Sequence, residues 1–215
     1  MRPGPTPTRQ TSGRGRRSPS SRVVGRTLHF DIEARPLGWY GGDFTHKEPT
    51  AIAWAWADNP EQVWVEMLTP APTSGQTMLK RFHRAYQEAD IVSGHYIRGF
   101  DLPALQAAYA EYGLPGLGPK LTSDTKADLV SLHGISKSQE NLGSWLGIDA
   151  PKVGMSMEDW RRANRLTPEG RALVRERVVG DVRQHIQLRA ALMDAGLLGP
   201  PKLWTPGGKT PGYTP

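Results

Sequence analysis

The 215-residue sequence contains no cysteine, so disulfide bonds and thiolate metal sites are excluded. No run of residues approaches the ~18 apolar residues that a membrane-spanning helix needs, so no membrane association is expected. The N-terminus also has no apolar segment of the kind found in secretory signals, and the amphipathic pattern of a transit peptide is missing. We therefore expect a soluble, intracellular protein of the cytoplasm.

Acidic residues are absent from residues 1–26, which contain seven arginines among many Pro, Gly, Ser and Thr residues. Such a segment has too little apolar surface to bury, so we predict a disordered basic N-terminal arm over residues 1–25. The remaining 20 basic residues nearly balance the 21 acidic ones, so the net charge of +6 comes from the arm. A basic arm on a nearly neutral body favours loose attraction to nucleic-acid phosphates, and the alternative is a solvated tail without a partner.

The centre of the chain, residues 26–196, predicts one α/β domain, followed by a loose Pro/Gly-rich tail over residues 197–215. Strands are predicted at about 26–33, 50–57, 63–67 and 90–94, the first three forming an antiparallel meander. Helices are predicted at about 74–88, 102–112 and 167–195, together with a short helix that a capping box from Ser136 to Gln139 opens and Gly147 ends. The tryptophans at 54 and 56 alternate with alanines; we favour a core position for them over base stacking.

The first strand carries the side chains that suggest chemistry. Its polar face presents His29, Asp31 and Glu33, because side chains alternate between the two faces of a strand. Two carboxylates roughly 7 Å apart on one face repel each other where water is scarce. A divalent cation such as Mg²⁺ would relieve that repulsion, and the alternative is an edge strand with two solvated acids.

Two further acids lie in helical contexts. Asp101 comes just before a predicted helix, where an aspartate is an ordinary N-cap. Asp181 shares a helical stripe with Arg177 and His185, and its ordinary role would be a surface ion pair worth about 0.3–0.5 kcal/mol. The neighbouring Gly180 costs about 1 kcal/mol inside a helix, which suggests a close backbone approach at that position.

Three motifs, taken together, resemble those of a known family. They are Phe30-Asp31-Ile32-Glu33, His95-x4-Phe100-Asp101-Leu102-Pro103-x-Leu105 and Asp181-Val182. In this order they are similar to the motifs of the DEDD exonucleases, ribonuclease H-like 3′-to-5′ exonucleases that include polymerase proofreading domains. Further family-like positions are Asp124-Thr125, the helix at 142–147 and Lys152. The resemblance covers about residues 26–194.

The resemblance implies a fold, a cofactor and an activity. The fold would be α/β, a ribonuclease H-like mixed five-stranded sheet with helices on both faces and Asp31 on the central strand. Asp31, Glu33, Asp101 and Asp181 would be the catalytic residues and would bind two Mg²⁺ or Mn²⁺ ions. Asp31 would bridge both ions, and Glu33 would also orient the attacking water. The substrate would be single-stranded DNA or the 3′ ends of nucleic acid, with RNA as the alternative.

The third motif departs from the family pattern. Family members carry a Tyr four residues, or a His five residues, before the last Asp, and these positions hold Arg177 and Glu176 here. Arginine cannot act as a base, although it could hold a phosphate, whereas Glu176 could accept a proton if it pointed inward. His185 and His95 are the other auxiliary candidates. The alternatives are therefore a catalytically weak nucleic-acid-binding module or an endonuclease on the same fold.

Overall fold

A computed structural model describes residues 25–40, 43–148 and 153–208. Its strands are β1 (Thr27–Tyr40), β2 (Asp43–Trp56), β3 (Asn59–Met67), β4 (Ile91–Gly94), β5 (Lys120–Asp124) and β6 (Lys202–Trp204). Its helices are α1 (Ser74–Glu88), α2 (Asp101–Glu111), α3 (Gln139–Trp145), α4 (Met157–Asn164) and α5 (Pro168–Asp194). None of the described helices is long and apolar enough to cross a bilayer.

The strands form one mixed sheet in the order β3-β2-β1-β4-β5-β6. The pairs β1/β2, β2/β3 and β5/β6 are antiparallel, whereas β4 runs parallel to both β1 and β5. The polar residues of β1 therefore lie near the middle of the sheet. The predicted α/β class with a mixed sheet is confirmed, and the architecture is consistent with a ribonuclease H-like fold.

The two faces of the sheet differ because alternate residues of β1 and β2 point to opposite sides. On one face, large side chains of these strands pack against α1 and α2: Leu28, Phe30, Ile32, Ile52, Trp54 and Trp56. On the other face, small and branched side chains of β2 and α5 pack together: Ala51, Ala53, Ala55, Val174, Val178 and Val182. The alanines let α5 lie close to the sheet, so α5 also covers the polar face of β1. The predicted core position of the two tryptophans is confirmed.

Among the described residues, the sheet has six strands rather than the expected five, because part of the predicted loose tail is ordered. Strand β6 pairs with the edge of β5, Trp204 is buried in the core, and Lys202 forms an ion pair with Asp128. Pairing with an otherwise open sheet edge explains how so short a segment is held. The prediction that residues 197–215 are loose is therefore wrong for residues 202–204.

Several element boundaries also differ from the prediction. The first two strands extend to Tyr40 and from Asp43, so they form a long hairpin whose register shifts after Glu33. Helix α2 begins at Asp101 itself, so this residue is not the N-cap. Helix α3 is capped by Ser138, whose side chain accepts the N–H of Asn141, and not by a capping box from Ser136. The basic arm up to residue 24 and Lys152 lie outside the described residues.

Candidate metal centre

The polar face of β1 lies beneath α5 in three successive pairs of side chains. These pairs are Glu33 with Arg177, Asp31 with Asp181 and His29 with His185. Two residues span about 6.8 Å along a strand, and four residues span about 6 Å along a helix. Because these lengths are similar, side chains at these spacings can remain opposite each other over three pairs. Because β1 and α5 run in opposite directions here, residues far apart in sequence meet in reverse order.

The middle pair belongs to a cluster of carboxylates. Asp31, Glu33 and Asp181 each place one carboxylate oxygen within 4.8 Å of the others. Glu33 and Asp181 are buried, whereas Asp31 is half-buried. Charges so close in a poorly solvated place repel, so a cation near them stabilises the arrangement.

Asp101 lies on the wall of the cleft that also contains Asp31 and Asp181. This cleft has a volume of about 280 Å³. The side chain of Asp101 is buried, and its Oδ1 accepts the backbone N–H of Ile32 at 3.2 Å. Burial raises the pKa of Asp101 to about 8, with smaller contributions from the charges of Asp124 and Glu33, while hydrogen bonds from backbone N–H groups oppose the rise. The predicted four acids are thus brought to one place, three in the cluster and one on the adjoining wall.

The loop before Asp101 is held by Asp124. The carboxylate of Asp124 accepts backbone N–H groups of Tyr96, Arg98, Lys126 and Ala127 at 2.9–3.0 Å. Tyr96 has a backbone φ of 68°, which an L residue rarely adopts, and two of the four bonds come from Tyr96 itself and from Arg98, two residues later. Asp124 therefore fixes the backbone that leads into α2 rather than facing the cleft.

The same loop is anchored a second time through its arginine. The Arg98 guanidinium donates to both carboxylate oxygens of Asp128, at 2.9 and 2.6 Å, and to the hydroxyl of Thr122 at 3.1 Å. Both charged side chains are buried. Burial opposes ionisation of Asp128, but the hydrogen bonds from Arg98, the Asp124 backbone and Lys202 leave its pKa below the usual value.

The auxiliary candidates occupy four different environments. Arg177 pairs with Glu33 inside the cluster. His95 lines the cleft, and its Nδ1 lies 3.0 Å from the hydroxyl of Thr125. His185 is buried behind the cluster, and Glu176 is exposed in a separate groove on the outer side of α5. Glu176 therefore does not point into the cluster as its proposed role would require.

The buried histidines make a neutral polar layer behind the acids. The Nε2 of His185 lies 3.0 Å from the hydroxyl of Ser93, and its ring lies 5.4 Å from that of His29. Burial lowers the pKa of His29 to about 3, with the Arg189 charge adding to the effect. Burial likewise lowers the pKa of His185 well below its usual value, followed by the influence of His29, His95 and Arg189. Both rings are therefore neutral at pH 7.

Several residues that line the cleft were not predicted from the sequence as site residues. They are Tyr96, Lys126, Ser138 and Gln139. Gln139 Nε2 donates to the backbone carbonyl of Asp181 at 2.9 Å, at the point where α3 meets α5. Proximity to the quoted motifs could have indicated Tyr96 and Lys126, which lie next to His95 and Thr125 in the sequence. Ser138 and Gln139 reach the cleft through tertiary packing of α3.

The donor atoms of the cluster are all carboxylate oxygens. Hard divalent cations such as Mg²⁺, Mn²⁺ and Ca²⁺ prefer oxygen ligands, whereas softer metals favour sulfur or imidazole nitrogen. The residues present therefore fit a hard divalent cation.

Comparison with known proteins gives a likeness in fold. No family model matches the chain, and no curated protein matches it in sequence. Among solved structures, the chain is similar to the family B DNA polymerase from the hyperthermophilic archaeon Pyrobaculum calidifontis, with a TM-score of 0.59 and 18% sequence identity. The match covers 79% of this chain and 24% of the polymerase chain, so this chain corresponds to about a quarter of that protein. The likeness shows a fold shared with part of a DNA polymerase.

Proposed function

We propose that the protein is a metal-dependent 3′-to-5′ exonuclease that hydrolyses phosphodiester bonds of DNA, with RNA as the alternative substrate. The observation that carries the proposal is the convergence of Asp31, Glu33 and Asp181, from β1 and α5, within 4.8 Å. Asp101 adds a fourth acid on the wall of the same cleft. Asp181 lies far from Asp31 and Glu33 in the sequence, so only the fold brings the three acids together.

The four acids are the proposed ligands of two divalent cations. When bound, such cations lower the pKa of a water and stabilise the charge on the attacking and leaving oxygens of a phosphodiester. Within the protein, Asp31 is the most accessible of the four carboxylates and is suited to meet both the cation and the substrate. Asp101 is held by the Ile32 N–H, which keeps its position relative to Asp31 fixed.

Aromatic and cationic side chains near the acids support a nucleic-acid substrate. Tyr96, Phe100 and Lys126 line the cleft. Lys126 Nζ lies 4.0 Å from the centroid of the Tyr96 ring, and Lys47 Nζ lies 4.8 Å from that of Phe100. Aromatic faces stack on bases and ammonium groups pair with phosphates. This combination is typical of proteins that bind single-stranded nucleic acids. The likeness in fold to part of a DNA polymerase supports the same class of substrate.

The test uses 5′-labelled single-stranded DNA with Mg²⁺ or Mn²⁺. We expect a ladder of products shortened from the 3′ end. Asp31→Asn and Asp181→Asn should each lower the rate by more than the roughly 10- to 100-fold that loss of an outer-shell partner of a metal causes. Asp194→Asn, which changes an exposed carboxylate on the same helix as Asp181, is the matched control and should leave the rate unchanged.

Two further substrates distinguish the exonuclease from an endonuclease and DNA from RNA as the substrate. An exonuclease needs an end, so circular single-stranded DNA should resist cleavage, and cutting of the circle would instead indicate an endonuclease. A matched RNA strand tests the sugar preference. A ladder that persists in Asp31→Asn would contradict the proposed site.

A catalytically weak nucleic-acid-binding module is the second candidate. It is favoured by one observation: Arg177, which stands where the family pattern has a tyrosine, forms an ion pair with Glu33. That function would give DNA binding with a steep salt dependence and no cleavage with either metal.

A further inference from the structure

The guanidinium of Arg177 lies inside the carboxylate cluster. Its Nε donates to Oε1 of Glu33 at 2.5 Å and lies 3.8 Å from Oδ2 of Asp181. The side chains of Arg177, Glu33 and Asp181 are only 15, 12 and 5% exposed, so water screens these charges poorly. The described structure therefore already contains one fixed positive charge among the acids.

Two further contacts hold Arg177 in this position. Its Nη1 donates to the backbone carbonyl of Val153 at 2.7 Å, and its Cζ lies 5.4 Å from the centroid of the Trp160 ring. The guanidinium thus has partners on the α4 side as well as on β1. A side chain with three separate sets of contacts loses them all when it moves, so displacing it from Glu33 is unfavourable.

A divalent cation at Glu33 would compete with this guanidinium. Arginine remains charged at every accessible pH, so it cannot release Glu33 by losing a proton. A cation bound to the same carboxylate would either displace Arg177 from its partners or lie next to a like charge. Asp31 and Asp181 both line the cleft, and Asp181 lies farther from this guanidinium than Glu33 does, with its Oδ2 3.8 Å from Nε.

We propose that Arg177 takes the place of one divalent cation at this centre, so that the protein without substrate binds a single Mn²⁺ ion through Asp31 and Asp181. Glu33 is then committed to Arg177 as its counter-ion. This inference rests on the proposed function, because it presumes that the cluster binds metal, and it replaces the expected pair of ions in the resting protein by one ion and one guanidinium.

The test counts bound Mn²⁺ in the full chain without nucleic acid, by equilibrium dialysis and by electron paramagnetic resonance of the free ion. We expect one ion in the wild type and in Arg183→Gln, the matched control, which changes an exposed arginine on the same helix. Arg177→Gln should bind a second ion. The dissociation constant of this second ion should be at least about tenfold lower than its dissociation constant from the wild type, because a like charge has been removed. Arg177→Lys keeps the charge and should bind one ion.

A second variant tests the proposal from the other partner and does not depend on the folding of the Arg177 variants. Glu33→Gln should still bind one ion, with its affinity lowered by up to about tenfold because the Arg177 charge has lost its counter-ion, whereas Asp31→Asn should bind none. Two ions bound by the wild type, an unchanged count in folded Arg177→Gln, or loss of the ion in Glu33→Gln would each overturn the inference while leaving a metal centre in place. Absence of Mn²⁺ binding in every variant would overturn the proposed function itself.

Discussion

The carboxylate of Asp101 accepts the backbone N–H of Ile32, the residue between the two acids of β1. This bond ties the first turn of α2 to the strand that carries Asp31 and Glu33. It also places a buried acid beside other acids, so the arrangement that forms the site lowers the stability of the folded protein.

Asp101→Asn should stabilise the metal-free protein at alkaline pH. The folded-state pKa of Asp101 is raised to about 8, mainly by burial, so the stability it contributes is present at low pH and is lost as the pH rises from about 4 to 8. Asparagine can still accept the Ile32 N–H but carries no charge. In EDTA at pH 8 we expect the variant to be more stable than the wild type by about 1–2 kcal/mol in urea denaturation, with a smaller difference at pH 5. A variant less stable than the wild type at pH 8 would contradict this.

His185 should make the protein sensitive to mild acid. Its pKa is lowered by burial, so below about pH 6.5 the unfolded chain takes up a proton that the folded chain excludes, and stability falls with pH. The wild type should therefore lose about 2 kcal/mol more between pH 7 and pH 5 than His185→Gln does. The exposed His133 supplies the control, since His133→Gln should follow the wild-type curve. Parallel curves for wild type and His185→Gln would show that the ring is protonated in the fold.

Arg98→Leu should be strongly destabilising. It leaves the buried carboxylate of Asp128 without the two hydrogen bonds from Arg98, and breaking a buried ion pair costs about 3–5 kcal/mol. The double variant Arg98→Leu with Asp128→Leu should recover part of the loss. For comparison, Arg161→Leu removes an exposed pair with Glu158 at 3.5 Å and should cost less than about 1 kcal/mol. Equal losses in urea denaturation for Arg98→Leu and Arg161→Leu would refute the distinction.

Two glycines of α5 should respond in opposite ways to alanine. A Cβ at Gly170 would overlap backbone atoms of Arg162 and Ala163, so Gly170→Ala should cost about 1–3 kcal/mol. At Gly180 the nearest atom to a Cβ among the described residues is Cγ2 of Val153, at an ordinary 3.7 Å. Gly180→Ala should therefore stabilise the helix by about 0.5–1 kcal/mol, and thermal unfolding of the pair measures both effects. The close backbone approach suggested by the sequence is found at Gly170 and not at Gly180.

The elements that could be predicted from sequence are those with a strong internal period. The alternation in β1 and the valine spacing in α5 reveal which face of each is buried, and the Thr167-Pro168 start of α5 is confirmed by the bond from the Gly170 N–H to the Thr167 hydroxyl. Strand β5 and strand β6 were missed because their short, polar sequences become strands only through pairing with neighbours. Helix α4 was missed although Ser156 and Asp159 form a capping box at its start.

The candidate site also contains residues that could be predicted from the sequence and residues that could not. The acids could be identified because they lie in recognisable motifs on predictable elements. The pairing of Arg177 with Glu33 could not, since it joins residues 144 positions apart and depends on how α5 lies over β1. For the same reason, the sequence could not decide whether Glu176 points inward, because that depends on which side of α5 faces solvent.

The three pairs between β1 and α5 constrain how the length of β1 can change. Inserting or deleting one residue ahead of Asp31 would turn the acids toward Phe82 and the tryptophans, and would expose Phe30 to the cluster. The same change would remove both the hydrophobic packing and the ligand set. Natural relatives of this chain should therefore vary in length outside residues 28–33 and not within them.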